Sequence, residues 1–329
     1  MFPGPVFPER TFSLIDRRKF LAGMAVTAAA TAGSRLAMGQ SSSPFRVAVI
    51  NDEISQDFGH VCEVASREFG MGWIELRSMW KKNIVNLDDK EVAEAKRILE
   101  KYQLKVTDIA SPLFKVDWPG APKSEYSESK NFAANFSLAQ QDEVLDRALE
   151  MAKAFGTDRV RCFDFWRLKD PAPYRAAIND KLREAANKAE KNGIILVLEN
   201  EQSCNTATGA EAAKLLQEVQ SPSLMLNWDP GNAADRGEVP YPDGYNLLPK
   251  DRIGHCHCKD VVRKGNKYDW AAMGTGVIDW EGQFKALKRD GYNHAVSLET
   301  HWNGGGSPEE SSRQSWAGMK KLLQEAGAL

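Results

Sequence analysis

Eight alternations of a short apolar run with a segment of helical periodicity, spread over residues 46–329, predict a (β/α)8 barrel of the TIM type. The later apolar runs also end in a carboxylate or an imidazole, and a barrel carries the C-terminal ends of its strands to one mouth. A doubly wound open sheet would use the same alternation. Its dinucleotide fingerprint is absent, however, because the first run leads into Asn51-Asp52-Glu53-Ile54 with no glycine pattern.

The first forty residues stand apart from this pattern. Asp16-Arg17-Arg18-Lys19-Phe20-Leu21 is a twin-arginine sequence, followed by an Ala-rich apolar run over 20–33 and by Ala37-Met38-Gly39, a small-x-small cleavage site. The run is shorter than the ~20 residues a membrane span requires. Residues 1–39 therefore resemble a Tat export signal. That resemblance implies the Tat machinery as a partner, a periplasmic mature chain and no stable membrane span after cleavage. An uncleaved signal would instead tether the chain to the membrane. Residues 40–45 read as a linker, and 46–329 as a single catalytic domain.

Strands are predicted at 46–51, 72–76, 104–110, 158–163, 194–198, 223–228, 252–258 and 295–298. The fifth, Ile194-Ile195-Leu196-Val197-Leu198, is apolar throughout, as a strand covered on both faces must be. Helices are predicted at 57–69, 88–102, 137–155, 172–192, 208–219, 279–290 and 308–326. Gly70 and Gly193 mark the ends of the first and fourth. Leu87, Val92, Ala95, Ile98 and Leu99 recur at helical spacing in the second, and Thr208 caps the fifth. The segment 111–135, with Trp118-Pro119-Gly120-Ala121-Pro122, has no period, and a loop of that length is usually functional or disordered.

A hydrophobic content of 42%, a formal charge of −2 and 27% charged residues describe an ordinary globular chain. Nothing supplies the polybasic surface that a nucleic-acid partner would need. Five cysteines, an odd number and mostly far apart, argue against a disulfide framework. Homo-oligomerisation is left open by the sequence.

The chemistry concentrates in Gly254-His255-Cys256-His257-Cys258-Lys259-Asp260. Strand alternation puts His255, His257 and Lys259 on one face, and Cys256 and Cys258 on the other. A zinc site built from both thiols and imidazoles is therefore disfavoured against core-facing thiols. Three more strands end in a potential ligand: Glu199 after Leu198, Asp229 after Trp228, and Glu299 after Leu298. The alternative role for any single carboxylate is to cap the next helix. Four such groups at one mouth would repel one another without a cation. Their mixed oxygen and nitrogen donors suit Mn²⁺, Mg²⁺, Co²⁺ or Zn²⁺ and are too hard for copper(I).

Leu198-Glu199-Asn200, Trp228-Asp229-Pro230-Gly231-Asn232, His255-Cys256-His257-Cys258-Lys259-Asp260, Gly274-Thr275-Gly276-Val277-Ile278-Asp279-Trp280 and Ser297-Leu298-Glu299 follow one another through the second half of the domain. In this the chain resembles the xylose isomerase-like barrel superfamily of sugar phosphate isomerases and epimerases, whose relatives include ketose 3-epimerases and inosose dehydratases. The first half matches in pattern only, through Glu75 in Trp73-Ile74-Glu75-Leu76. The resemblance implies one divalent metal ion on Glu199, Asp229, His257 and Glu299, with Glu199 and Glu299 doubling as acid–base groups on opposite faces of a sugar or keto-sugar. It implies Asn232, His255, Lys259, Arg263 and Glu75 as substrate-binding candidates. Asn232 stands where the ketose epimerases carry a substrate-touching histidine, a departure that weighs against epimerisation of a free ketose.

The implied first step is removal of a proton next to a carbonyl, with the metal stabilising the enediolate. Returning the proton gives an isomerase or epimerase. Losing a β-substituent gives a dehydratase or glycoside lyase. An endonuclease-IV-like phosphodiesterase would need a multinuclear, histidine-rich cluster, and the chain has five histidines in all. A sugar-binding protein without turnover is the remaining alternative. Trp80, Trp118, Trp166 and Trp302, expected in loops that follow strands, could stack on sugar rings.

Overall fold

The computed structural model describes residues 43–127, 135–265 and 267–329. The twin-arginine segment and residues 40–42 of the linker lie outside the described residues. Among the described residues, eight strands form one parallel sheet: β1 (Arg46–Val49), β2 (Trp73–Leu76), β3 (Lys105–Leu113), β4 (Arg159–Cys162), β5 (Ile195–Glu199), β6 (Leu224–Trp228), β7 (Ile253–Cys258) and β8 (Ala295–Leu298). Each pairs with its sequence neighbour from β2 through β8, and β8 pairs back onto β1. A single parallel bridge between Ile50 and Glu75 completes the circuit between β1 and β2, so the barrel is nearly closed.

The α-helices of more than one turn are α1 (Phe58–Glu63), α2 (Asp89–Tyr102), α3 (Gln141–Phe155), α4 (Arg175–Lys191), α5 (Gly209–Glu218), α6 (Pro230–Asp235), α7 (Trp280–Arg289) and α8 (Pro308–Glu325). Their ends follow the local chemistry. Asp88 and Glu91 form a reciprocal capping box on α2, and Thr208 and Glu211 form another on α5. Such caps contribute about 1 kcal/mol each. Gly193 takes a φ of +71° just past α4, as a C′ glycine does. The helix expected over 57–69 is instead α1 followed by a wider turn, in which Phe69 N–H reaches Val64 C=O at 2.9 Å.

Three further differences arise from tertiary contacts. β3 runs to Leu113, into the segment read as loop, because its tail pairs with Cys162 of β4. The antiparallel hairpin Asp260–Lys264 with Lys267–Ala271 follows β7 and was not anticipated. Phe45, placed in the linker, is buried against Phe284 and Tyr292 with ring centroids 6.4 and 5.9 Å away.

The lumen is filled from below. Gly254 lets Met225 and Val197 close in, since a Cβ there would lie 2.9 Å from Met225 Cβ. Arg159 enters the floor, and its Nε donates to Gly254 C=O at 2.9 Å. Its Nη2 stands 3.2 Å from His294 Nδ1. Burial, then the charges of Arg159 and Arg46, push His294 down to about 4. Folded His294 therefore resists the proton that the unfolded chain accepts near 6.5. Its contribution to stability is complete above that value and is lost as pH falls towards 4. The melting temperature is expected to drop more steeply over this window in the native chain than in His294→Gln. Parallel slopes in a pH series of thermal melts would contradict this.

Candidate metal centre

The four groups singled out at the strand ends come together. One ligand atom each from Glu199, Asp229, His257 and Glu299 lies within 4.8 Å of all the others, and all four residues are buried. β7 supplies His257 on its inward face, where both imidazoles and the Lys259 side chain are buried, while Cys256 and Cys258 pack in the apolar core. The five cysteines are free and buried.

His257 is held from behind. Its Nε2 lies 3.0 Å from Glu75 Oε1, which leaves Nδ1 to face the acids. Nδ1 stands 3.3 Å from Glu299 Oε2, 3.5 Å from Glu199 Oε1 and 3.7 Å from Asp229 Oδ2. Asp229 does two jobs with its two oxygens. Oδ1 caps α6 by accepting from Asn232 N–H at 2.9 Å, and Oδ2 turns to the centre. The capping role and the ligand role are thus compatible in one side chain.

The two glutamates are fixed by cations. Glu199 accepts from Arg161 Nη1 at 3.2 Å and from Asn232 Nδ2 at 3.1 Å. Glu299 accepts from Arg77 Nη1 at 3.0 Å and from Lys259 Nζ at 2.6 Å. Lys259 Nζ also stands 2.8 Å from Asp229 Oδ2 and over the Trp270 ring at 4.9 Å. Its stem fits because residue 231 is glycine, where a Cβ would lie 2.6 Å from Lys259 Cγ. Burial alone would raise both carboxyls, yet His257 and Arg161 bring Glu199 down to about 2. Lys259, His301 and His257 likewise hold Glu299 well below the carboxylate range. Burial disfavours an imidazolium at His257, but Glu75, Glu299 and Glu199 outweigh it and raise the ring well above its ordinary value.

These residues fit a divalent cation. His257 Nδ1 is buried and takes part in no hydrogen bond, and Asp229 Oδ2, also buried, has the Lys259 ammonium and that ring beside it. Three carboxylates and one imidazole form a hard oxygen–nitrogen donor set. The side-chain cations in direct contact with the acids are Lys259, Arg77 and Arg161.

The remaining candidates are distributed unequally. Asn232 and Lys259 touch the ligand carboxylates directly. Glu75 and His255, expected at the substrate, lie instead beneath His257: both are fully buried, His255 Nε2 is 3.1 Å from Glu75 Oε2, and His255 Nδ1 is 3.6 Å from Asp108 Oδ1. Burial and the neighbouring Glu75 charge push Asp108 up to about 6. Arg263, also expected at the substrate, sits on the hairpin facing outward, with Nε on Gly265 C=O at 3.1 Å. The hairpin itself runs outward, its burial falling steadily from Asp260 to Lys264, and that carries Arg263 away from the acids. Asp260 is structural: its carboxylate accepts N–H groups from Gly274, Gly276 and Ile278, and a Cβ at Gly276 would lie 2.2 Å from its Oδ1.

Sequence reading missed Arg77, Lys115, Arg161, Glu201 and His301, which line a cavity of about 60 Å³ beside Glu199 and Glu299. Arg161 carried a readable signal, a charge on the inward face of a strand bounded by apolar residues. Among the aromatic candidates, Trp166 is buried with Phe163 and Cys204 and lies 5.6 Å from Lys115 Nζ. Trp118 packs edge-on to Phe165 at 4.7 Å, and Trp80 against Phe58 at 6.0 Å. Trp302 packs over residue 304, where a Cβ would meet its ring.

Fold and centre together define a parallel (β/α)8 barrel with an acidic, histidine-containing mouth. The chain belongs to the xylose isomerase-like TIM barrel family, whose model matches residues 64–322. It is 28% identical over 130 residues to an inosose dehydratase of Geobacillus thermodenitrificans (strain NG80-2). That match covers 34% of this chain and 42% of the relative, so it spans less than half of that enzyme's length. Among solved structures, the IOLI protein with a bound zinc atom superposes with a TM-score of 0.65 at 17% identity, covering 86% of this chain and 98% of that one. The probable 3-DHS dehydratase AsbF of Bacillus anthracis superposes with a TM-score of 0.64 at 19% identity, covering 84% and 98%. At these identities both show a shared fold.

Proposed function

We propose that this chain removes a proton next to the carbonyl of a sugar or keto-sugar, using one divalent cation held by Glu199, Asp229, His257 and Glu299, and completes the reaction as an isomerase or epimerase. The observation that carries this reading is the meeting of three buried carboxylates around the His257 Nδ1, which makes no hydrogen bond. When bound, the cation would polarise the carbonyl and stabilise the charge left as the C–H bond breaks.

The chain's own groups supply the rest. Glu199 and Glu299 stand on β5 and β8, with β6 and β7 between them in the sheet, so they flank the centre from different sides. Both are held as carboxylates, the state a proton acceptor needs. Asn232 and Arg161 orient the first, and Arg77 and Lys259 the second. All of these residues are buried, and a surrounding of low polarisability strengthens each of these interactions.

Dehydration on the same centre is the second reading, and Lys259 favours it. Its ammonium, 2.6 Å from Glu299, could hold a departing hydroxyl while the glutamate that took the C–H proton passes it on, so that water leaves. The inosose dehydratase relative points the same way. The export proposed from residues 1–39 favours a scavenged sugar, oxidised sugar or glycoside over a sugar phosphate.

The test is incubation of Mn²⁺-loaded protein with a panel of keto-sugars in D₂O. Deuterium entering an otherwise intact carbon skeleton supports isomerisation or epimerisation. Loss of one water from the product supports the second reading. A loaded protein that exchanges no C–H across the panel would falsify both.

A further inference from the structure

Beside the centre lies a second group of ligand-type atoms. One oxygen of Glu53, one of Glu299 and one ring nitrogen of His301 lie within 4.8 Å of one another. Glu299 belongs to both groups. Its Oε2 faces His257 Nδ1 at 3.3 Å, and its Oε1 faces His301 Nε2 at 3.6 Å. The second group is also held in place. His301 adopts a φ of +45°, its N–H donates to Glu53 Oε2 at 3.0 Å, and its Nδ1 lies 3.0 Å from Glu53 Oε1. A carboxylate shared between two such groups is the layout of a two-ion centre, whose ions stand about 3.5–4 Å apart.

A guanidinium already fills that place. Arg77 Nη2 is 2.7 Å from Glu53 Oε1, Nη1 is 3.0 Å from Glu299 Oε1, and Nε is 2.8 Å from Asp52 Oδ1. The side chain is 5% exposed, and its backbone N–H is fixed by Asn51 Oδ1 at 2.8 Å. A guanidinium keeps its charge at any pH a protein survives, and its planar fork engages several carboxylates at once. A divalent ion approaching these oxygens would meet a permanent positive charge in contact with two of its three ligands.

We infer that Arg77 is the built-in second cation of this centre: seated between Glu53 and Glu299, it bars a second metal ion and commits the site to single-ion chemistry. The inference rests on the metal reading of Glu199, Asp229, His257 and Glu299. It separates this barrel from phosphodiesterase centres, in which a second ion stabilises the leaving oxygen. It also gives Glu299 one oxygen for the metal and one for a fixed charge.

The experiment counts ions. Metal-free native protein, Arg77→Met and Arg77→Lys are equilibrated with increasing Mn²⁺. Bound metal is measured per chain, folding by circular dichroism, and ion–ion coupling by electron paramagnetic resonance. The native chain and Arg77→Lys are expected to bind one uncoupled ion. Arg77→Met is expected to bind two, with a coupled signal, and to gain more thermal stability from Mn²⁺ than the native chain does. Two ions on the native chain or on Arg77→Lys overturn the inference. So does a folded Arg77→Met that binds only one, or an Arg77→Met that stays unfolded in millimolar Mn²⁺. A native chain that binds no ion removes the metal reading itself, and this inference with it.

Discussion

Glu299→Gln is expected to lower kcat by about 10²- to 10⁴-fold, the range that a positioned acid–base group contributes, while the barrel stays folded. Glutamine keeps the shape and one acceptor, so what is lost is the proton acceptor and a unit of negative charge. Removing one partner of a buried ion pair outright costs about 3–5 kcal/mol because a charge is left alone. Neither partner is left alone here. Arg77 keeps Asp52 and Glu53, and Lys259 keeps Asp229. The loss should therefore fall mainly on turnover. Glu199→Gln is expected to lose turnover alike, but it leaves the buried Arg161 without its carboxylate and should also lower the melting temperature. Turnover, bound metal and circular dichroism must be read together. A variant that retains its metal and more than about a tenth of native turnover takes that glutamate out of the acid–base role.

The late half of the barrel was legible because its chemistry is local. β5, β6 and β8 are apolar runs ending at a carboxylate, and an apolar strand that stops at a charge states both where it is buried and where it opens. Alternation in β7 was enough to separate His257 from Cys256 and Cys258. What alternation could not show was depth. His255 and His257 share a face, yet one strand step decides which ring reaches the mouth and which lies below it against Asp108. Glu75 was visible at the end of β2, but its partner lies 182 residues away, and nothing in Trp73-Ile74-Glu75-Leu76 says that it serves a histidine rather than a ligand. The hairpin after β7 was hidden by short, half-exposed strands full of Lys and Arg, which read as a solvated loop. Arg77 and His301 were missed for a related reason: arginine and histidine next to loops are usually solvent-facing, and only the closed barrel shows that these are not.

The metal affinities of three variants should fall in a fixed order, and the order follows from which atoms face the acids. His257→Ala removes the donor whose Nδ1 faces Glu199, Asp229 and Glu299, and it is expected to weaken Mn²⁺ binding by more than about 100-fold, beyond the 10- to 100-fold typical of a supporting group. Glu75→Gln belongs in that supporting class. The carboxylate at 3.0 Å from Nε2 keeps the proton on that nitrogen and the lone pair on Nδ1, and an amide can present its N–H to the ring instead and favour the wrong tautomer. His255→Ala should cost least. Its Nε2 faces Glu75 and its Nδ1 faces Asp108, so neither nitrogen is presented to the acids, and its loss reaches the metal only through a freer Glu75. Titration of each metal-free variant with Mn²⁺ measures the order directly, and nitrogen-15 shifts of the His257 ring report the tautomer in Glu75→Gln. Equal losses for His255→Ala and His257→Ala would mean that the ion sits deeper, among Glu75 and both imidazoles, and that Glu199 and Glu299 do not hold it.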